Sequence, residues 1–217
     1  MADCCGSGSA RYEDVFDSDF ARDVAGRYRR RGLTAPERRI VEHLAAQDLG
    51  DRTVLEIGGG VGVIQLELLA RGAGRTTNLE LSGAYEAEAQ SLLDERGRSA
   101  HTTRVVGVDL ASQGDRIAAA DYVVLHRVVC CYPDSERLLE AAAAHTRRAL
   151  VFSHPPRTWF TRLSAAFENA TMRMRGREYR AYIHRPAAMY AALERAGLQV
   201  APLRKGLRWW IVGATRA

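Results

Sequence analysis

The sequence predicts an α/β fold: a mostly parallel, seven-stranded sheet covered by helices on both faces and closed at one edge by an antiparallel hairpin. Three observations carry this. Short apolar runs alternate with stretches of helical period from residue 53 to residue 197. Glycine, proline or a capping residue punctuates most of the changes. The last two extended segments follow each other with no helix between them.

Taken in order, residues 1–11 are small, polar and glycine-rich and predict a mobile tail. The stretch 13–32 sets Val15, Phe16, Phe20, Val24 and Tyr28 at helical spacing. Tail and helix form a cover, residues 1–33, ahead of a main domain at 34–217. Thr34, a proline in the first turn and Glu37 three positions later make a helix start signal. Ile40, Val41 and Leu44 give that helix its apolar face. "TVLEIG" then predicts a buried strand and "VIQLELLARG" a helix ending near Gly72. "RTTNLELS" is a second strand, followed by a helix through "AYEAEAQSLLDERG". "TRVVGVDL" and "DYVVLHRVV" are the third and fourth strands. Asp134 caps a helix over "DSERLLEAAAAHTR", and "RALVFSH" is the fifth strand. A late helix runs between Pro186 and Gly197. "LQVAPLRKGL" and "RWWIVGATR" form the closing hairpin. Only residues 154–185 break the alternation. They are too long for a plain connection and predict a lid.

The 217 residues suffice for one domain with a sizeable core. Hydrophobic residues make up 47% and charged residues 26%, a globular mix. No apolar run approaches the roughly 20 residues of a membrane span. The start "MADCCGSGSA" lacks a basic, apolar secretion signal, so a cytoplasmic location is expected. The net charge of +5 comes almost wholly from arginine; Lys205 is the only lysine. No basic stripe or motif of a nucleic-acid binder is present, so no nucleic-acid partner is expected. The sequence is silent on oligomeric state. Cys4-Cys5 and Cys130-Cys131 are adjacent pairs, which reach one metal ion poorly, so no metal site is expected. Free thiols fit better than disulfides in a reducing compartment.

The chemistry centres on "VLEIGGGVG", residues 54–62, where glycine fills four of five positions straight after a strand. A glycine turn between strand and helix lets a ligand approach the backbone and aims N–H groups at it. A phosphate loop needs Lys-Ser/Thr after the last glycine, but Gly62 is followed by Val63 and Ile64. A dinucleotide site needs glycine where Val63 stands. What remains is E-x-G-x-G-x-G: Glu56, Gly58, Gly60 and Gly62. An acid ending the second strand, Glu80, lies about 20 residues further on, where a carboxylate can take both ribose hydroxyls. The competing reading of Glu80 is a surface acid at a strand end.

This pattern resembles motif I of the class I S-adenosyl-L-methionine-dependent methyltransferases. The resemblance implies a Rossmann-like methyltransferase fold, with the glycine loop passing under the methionine part of the cofactor and Glu56 helping to orient it. It implies a contact of Asp109, in "VVGVDL", with the adenine amino group; the competing reading is a helix cap. "DYVVLHRVVCCYPD", "ALVFSHPPRTW" and "REYRAYIHRPAAMYAALERAGLQV" further resemble the magnesium-protoporphyrin O-methyltransferases, which methylate a propionate carboxylate. One position departs: Cys131 stands where that group carries a histidine ahead of its Tyr-Pro pair.

The expected function is therefore methyl transfer to a small or medium anionic acceptor, with O-methylation of a carboxylate first. S-methylation of a thiol, methylation of a cysteine-bound soft metalloid, and a non-catalytic cofactor-binding module are the alternatives. His126 follows the fourth strand at the edge where open α/β sheets bind ligands, and can deprotonate or position an acceptor or simply sit hydrogen-bonded beneath a loop. Cys131 is a candidate beside it, against the plain role of a small hydrophobe. His154, at the end of the fifth strand, can line the acceptor pocket or close a turn. Residues 157–185 carry arginine at seven positions, with Trp159, Phe160, Leu163, Phe167 and Met174 interleaved. As a lid, this stretch would grip an acidic substrate through Arg177, Arg180 and Tyr182. As a basic amphipathic helix, residues 157–180 would lie on an anionic membrane. A solvated helix is the third reading.

Overall fold

The computed structural model describes residues 10–13 and 15–216. Cys4 and Cys5 lie outside the described residues, as does most of the expected tail. That tail gives way to a helical turn, α1 (Ala10–Glu13), whose Tyr12 is buried. The next helix, α2 (Ser18–Arg31), begins at Ser18 and not at Glu13. Asp17 takes the N-cap position and accepts from the Phe20 amide at 2.9 Å, a stronger local signal than apolar spacing. The start signal at Thr34 holds. In α3 (Ala35–Ala45) the Glu37 carboxylate accepts from the Thr34 amide at 2.6 Å, completing a capping box. Glu37 also pairs with Arg27 at 3.1 Å, which ties α2 to α3.

The sheet contains the seven strands expected: β1 (Thr53–Ile57), β2 (Arg75–Glu80), β3 (Thr102–Val106), β4 (Ala120–Leu125), β5 (Thr146–His154), β6 (Leu198–Lys205) and β7 (Trp210–Arg216). Their order is β3-β2-β1-β4-β5-β7-β6. The first five are parallel, and β7 joins β5 and β6 antiparallel. Successive strand residues feed opposite faces, as a two-sided sheet requires. Val54, Tyr122 and Val151 pack with Ile40, Leu44, Ile64 and Leu68 on one face. Leu55, Val123 and Phe152 pack with Leu138, Leu193 and Val212 on the other.

The crossover helices are α4 (Val63–Ala70), α5 (Glu86–Glu95), α6 (Leu110–Gln113), α7 (Ser135–Ala144), α8 (Trp159–Met174) and α9 (Pro186–Arg195). The chain leaves β1 toward β2 and returns to β4 on the other side. The carboxyl ends of β1 and β4 therefore flank a switch point, where such sheets bind ligands. The break in the alternation is α8 followed by a return strap, residues 176–185. Asn169 of α8 clips the strap from both sides: its amide donates to the Ala181 carbonyl at 2.8 Å and its carbonyl accepts from the Ala181 amide at 2.7 Å. Among the described residues no helix is long and apolar enough to cross a membrane.

Replacing Thr34 with alanine removes one side of the capping box. We expect a stability loss of about 1 kcal/mol, read as a lower urea midpoint with an unchanged slope.

Candidate active site

The glycine loop is pressed between side chains above and below. Gly58 has φ +60°, and a Cβ there would lie 2.6 Å from Val128 Cγ2, so only glycine fits. A Cβ on Gly59 would collide with Asn78 Nδ2 and lie 2.8 Å from the Glu56 carboxyl carbon. Gly60 faces the ring of Tyr85, and Gly62 is the N-cap of α4. The side-chain amide of Gln65, both amide atoms of Asn78 and Nη1 of Arg104 are buried nearby without a partner among the described residues.

The three predicted acids occupy different places. Glu56 is 2% exposed and lies beneath the loop, where Oε2 accepts from the Gln65 amide of α4 at 3.1 Å. It supports the loop from inside and does not reach the open face. Burial pushes its pKa up to about 8. Glu80 ends β2 and accepts from the amides of Gly60 at 2.8 Å, Leu81 at 2.8 Å and Ser82 at 3.1 Å. Burial raises its pKa, opposed by those three amides. Asp109 caps α6 through the Ala111 amide at 3.1 Å and accepts from the Tyr132 hydroxyl at 2.9 Å. The cap is thus present, and it leaves the carboxylate on the carboxyl edge beside β3.

Two positions without a sequence prediction complete the loop. Arg104 donates to the Gly60 carbonyl at 3.0 Å and pairs with Glu86 at 2.6 Å. A lone charge in "TTRVV" was a readable sign of a partner inside. Tyr85 had no such sign, because its contact with Gly60 depends on how the chain turns after β2.

His126 sits where β4 ends. Its Nδ1 pairs with the Ser153 hydroxyl at 2.9 Å, and its ring centroid lies 6.1 Å from that of Trp209. Burial lowers its pKa to about 4. Arg127, at φ +62°, turns the chain, and its guanidinium stacks 5.2 Å from the Trp209 centroid. The Cys130 and Cys131 sulfurs are 3.7 Å apart. The bond with Cys130, joined by the Tyr179 hydroxyl at 3.3 Å, lowers the Cys131 pKa, while Cys130 is held well above the usual thiol range. Tyr179 meets the edge of Phe16 at 5.5 Å between centroids, and the Tyr12 hydroxyl donates to the Cys131 carbonyl at 3.1 Å. The N-terminal cover and the strap thus close on each other over Cys131.

Of the predicted substrate residues, Tyr182 is tied down by its amide on the Cys130 carbonyl at 2.7 Å and by its ring stacked on His184. Arg180 Nη1 donates to the carbonyls of Arg177 and Tyr179, both at 2.6 Å. Arg177 is half-buried on the same strap. His154 is placed elsewhere. It is 1% exposed, held by the Pro155 carbonyl at 2.9 Å and the Tyr190 hydroxyl at 3.1 Å, and stacks on Phe152. That is the sheet face opposite His126 and α4, because the strand alternates Val151, Phe152, Ser153 and His154. It closes the strand end, and the acceptor role is not carried further. Among the described residues no cluster of three or more metal-ligating side chains occurs.

A family described as a methyltransferase domain matches residues 24–203. No curated protein matches the chain significantly. Among solved structures, a magnesium protoporphyrin IX methyltransferase from Synechocystis PCC 6803 with bound SAH is 20% identical at TM-score 0.68, with 98% of this chain and 95% of that chain covered. Human N-acetylserotonin methyltransferase in complex with SAM is 16% identical at TM-score 0.66; 100% of this chain spans 60% of that one. A putative methyltransferase of Haloferax volcanii, in complex with the Trm112 methyltransferase activator, is 15% identical at TM-score 0.66, covering 94% and 96%.

The buried carboxyl of Glu56 has a pH signature. Its folded pKa lies above the ordinary 4.5, so the folded chain keeps a proton that the unfolded chain releases. Its contribution to stability is complete below pH 4.5 and is lost as pH rises toward about 8. Thermal melts of Glu56→Gln against the parent across that window are expected to show the difference shifting steadily in favour of the variant.

Proposed function

The chain belongs to the methyltransferase-domain family, and from that membership we propose that it transfers the methyl group of S-adenosyl-L-methionine to an ionised carboxylate on a small or medium, anionic acceptor. When bound, S-adenosylmethionine supplies a methyl group on a sulfonium. The residues present fit such a ligand. It carries no phosphate, and the loop carries no lysine. It needs close backbone approach, and Gly58 to Gly62 provide it. Glu80 would hold the ribose hydroxyls, trading its bond to the Gly60 amide for them. Glu56, Arg104 and Tyr85 would hold the loop in shape. Asp109 would stand at the adenine end.

One observation supports a carboxylate over a hydroxyl: the histidine and the tyrosines at the mouth are moved away from neutrality. His126 is held at about 4, and burial pushes Tyr85 and Tyr179 upward. A weak base takes little from an alcohol. A carboxylate arrives ionised and needs only alignment and exclusion of water, which the cover and strap supply. Arg177 and Arg180 on the strap would grip the anion, with Tyr182 beside them. His126 would position the acceptor through its ring edge.

The thiol pair favours a second reading. Two sulfurs 3.7 Å apart, one with a lowered pKa, suit a sulfur acceptor or a soft metalloid. Serine at Cys131 separates the two. For the carboxylate reading we expect methyl transfer, assayed as S-adenosylhomocysteine release, within about threefold of the parent. Loss of turnover at unchanged S-adenosylhomocysteine affinity transfers the assignment to sulfur. Glu80→Gln is expected to weaken S-adenosylhomocysteine binding at least about tenfold by calorimetry. Unchanged affinity in that variant would remove the cofactor assignment.

A further inference from the structure

Residues 157–185 divide in space into two parts. The strap, residues 176–185, turns inward over Cys131. Helix α8 turns its large apolar side chains outward. Trp159, Phe160, Leu163, Phe167 and Met174 are between 60% and 81% exposed, while Ala165 is the one residue of the helix that is buried. At 3.6 residues per turn these five project into a single arc about 100° wide. Ala165, Asn169 and Met172 lie on the opposite side, where Asn169 clips the strap. Leu207, 96% exposed at the β6–β7 tip, lies at the same carboxyl edge of the sheet.

An outward apolar stripe of this size on one helix calls for a partner. The charges beside it say which. Arg162 and Arg173 flank the stripe on one side and Arg175 on the other, and Arg157 precedes it. Among the described residues none of these four carries an ion pair, and Glu168 is the only acid in the helix. A groove without acidic residues would meet the apolar stripe but leave a two-sided rim of arginine without counter-charge. An anionic lipid surface meets both: the side chains enter the acyl boundary, and the guanidiniums sit among headgroup phosphates.

We propose that α8 is a membrane-surface helix that docks this protein on an anionic bilayer, lying along it without crossing. The helix is about 24 Å long, too short and too arginine-rich to span. Because Asn169 couples its inner face to Ala181, docking sets the strap and the mouth beside the bilayer. This inference does not depend on the acceptor chemistry.

The test uses the full chain and co-sedimentation with vesicles of phosphatidylglycerol and phosphatidylcholine against phosphatidylcholine alone. We expect binding to the anionic vesicles that is at least about tenfold tighter than to the neutral ones and that weakens in high salt. The double variant F160E/F167E, and separately R162E, should lose that binding while keeping the parent's melting profile, since all three side chains are exposed. No binding to anionic vesicles overturns the proposal, as does binding that the double variant retains. Self-association of the parent in sedimentation velocity, dissolved by Phe167→Glu, also overturns it and assigns the face to a second copy. S-adenosylhomocysteine calorimetry on the same preparations keeps a failure of the cofactor assignment distinct from a failure of docking.

Discussion

Closeness of backbone to side chain at residues 58–62 is the constraint on which the rest of the site depends. The loop runs in a slot whose floor is Glu56, Asn78 and Gln65 and whose roof is Val128 and Tyr85. A methyl group at Gly58 or Gly59 would have to displace one of these. Displacing Val128 would disturb the turn after β4, which carries His126 and the thiol pair. Displacing Glu56 would free the first turn of α4, whose Gln65 amide it satisfies. The loop therefore couples the end of β1 to the end of β4 through contacts of one or two atoms. Packing of this density transmits any change of volume.

Over that slot the chain closes twice, from two segments far apart in sequence. Tyr12 and Phe16 come from the amino-terminal cover, and Tyr179 from the strap. They meet at Cys131, whose carbonyl accepts from the Tyr12 hydroxyl on one side and whose sulfur pairs with the Tyr179 hydroxyl on the other. The Ser82 hydroxyl, immediately after Glu80, donates to the Phe16 carbonyl at 2.9 Å. The cover is thus anchored to the same strand end that presents the acid to the loop. Opening the cover would loosen the setting of Glu80, and an occupant of the slot would be felt at the cover.

Much of this was legible in the chain, and the parts that were not share a physical cause. The seven strands, their alternation and the Thr34 start follow from local periodicity and capping, which act within a few residues. The glycine loop was legible because three ligand classes make different demands on the next two positions. Tyr85 and Val128 owe their places to tertiary contacts of the loop, which no local pattern encodes. His154 had two readings because a histidine at a strand's carboxyl end reads the same whichever face it takes, and a one-residue step decides the face. The segment 157–185 gave three readings because it joins an outward apolar stripe on a helix to an inward strap at Gly176, and the sequence alone does not separate the two.

The electrostatics of the slot argue for a cationic occupant. Burial moves four titratable groups near the loop toward their neutral forms: Glu56 and Glu80 upward, His126 downward, Tyr85 upward. A phosphate would have to be desolvated against two carboxyl groups, with the one guanidinium at the loop, Arg104, already held by the Gly60 carbonyl and Glu86. A sulfonium cation has the opposite effect. It favours the ionised form of Glu80 by direct attraction, so binding and proton release from that acid become linked. The same low-dielectric surroundings strengthen any attraction formed inside them. Ionised Glu80, already accepting from three amides, is the member of the set best able to bear the charge. Glu56 has a single amide and no open face, so it remains the protonated support beneath.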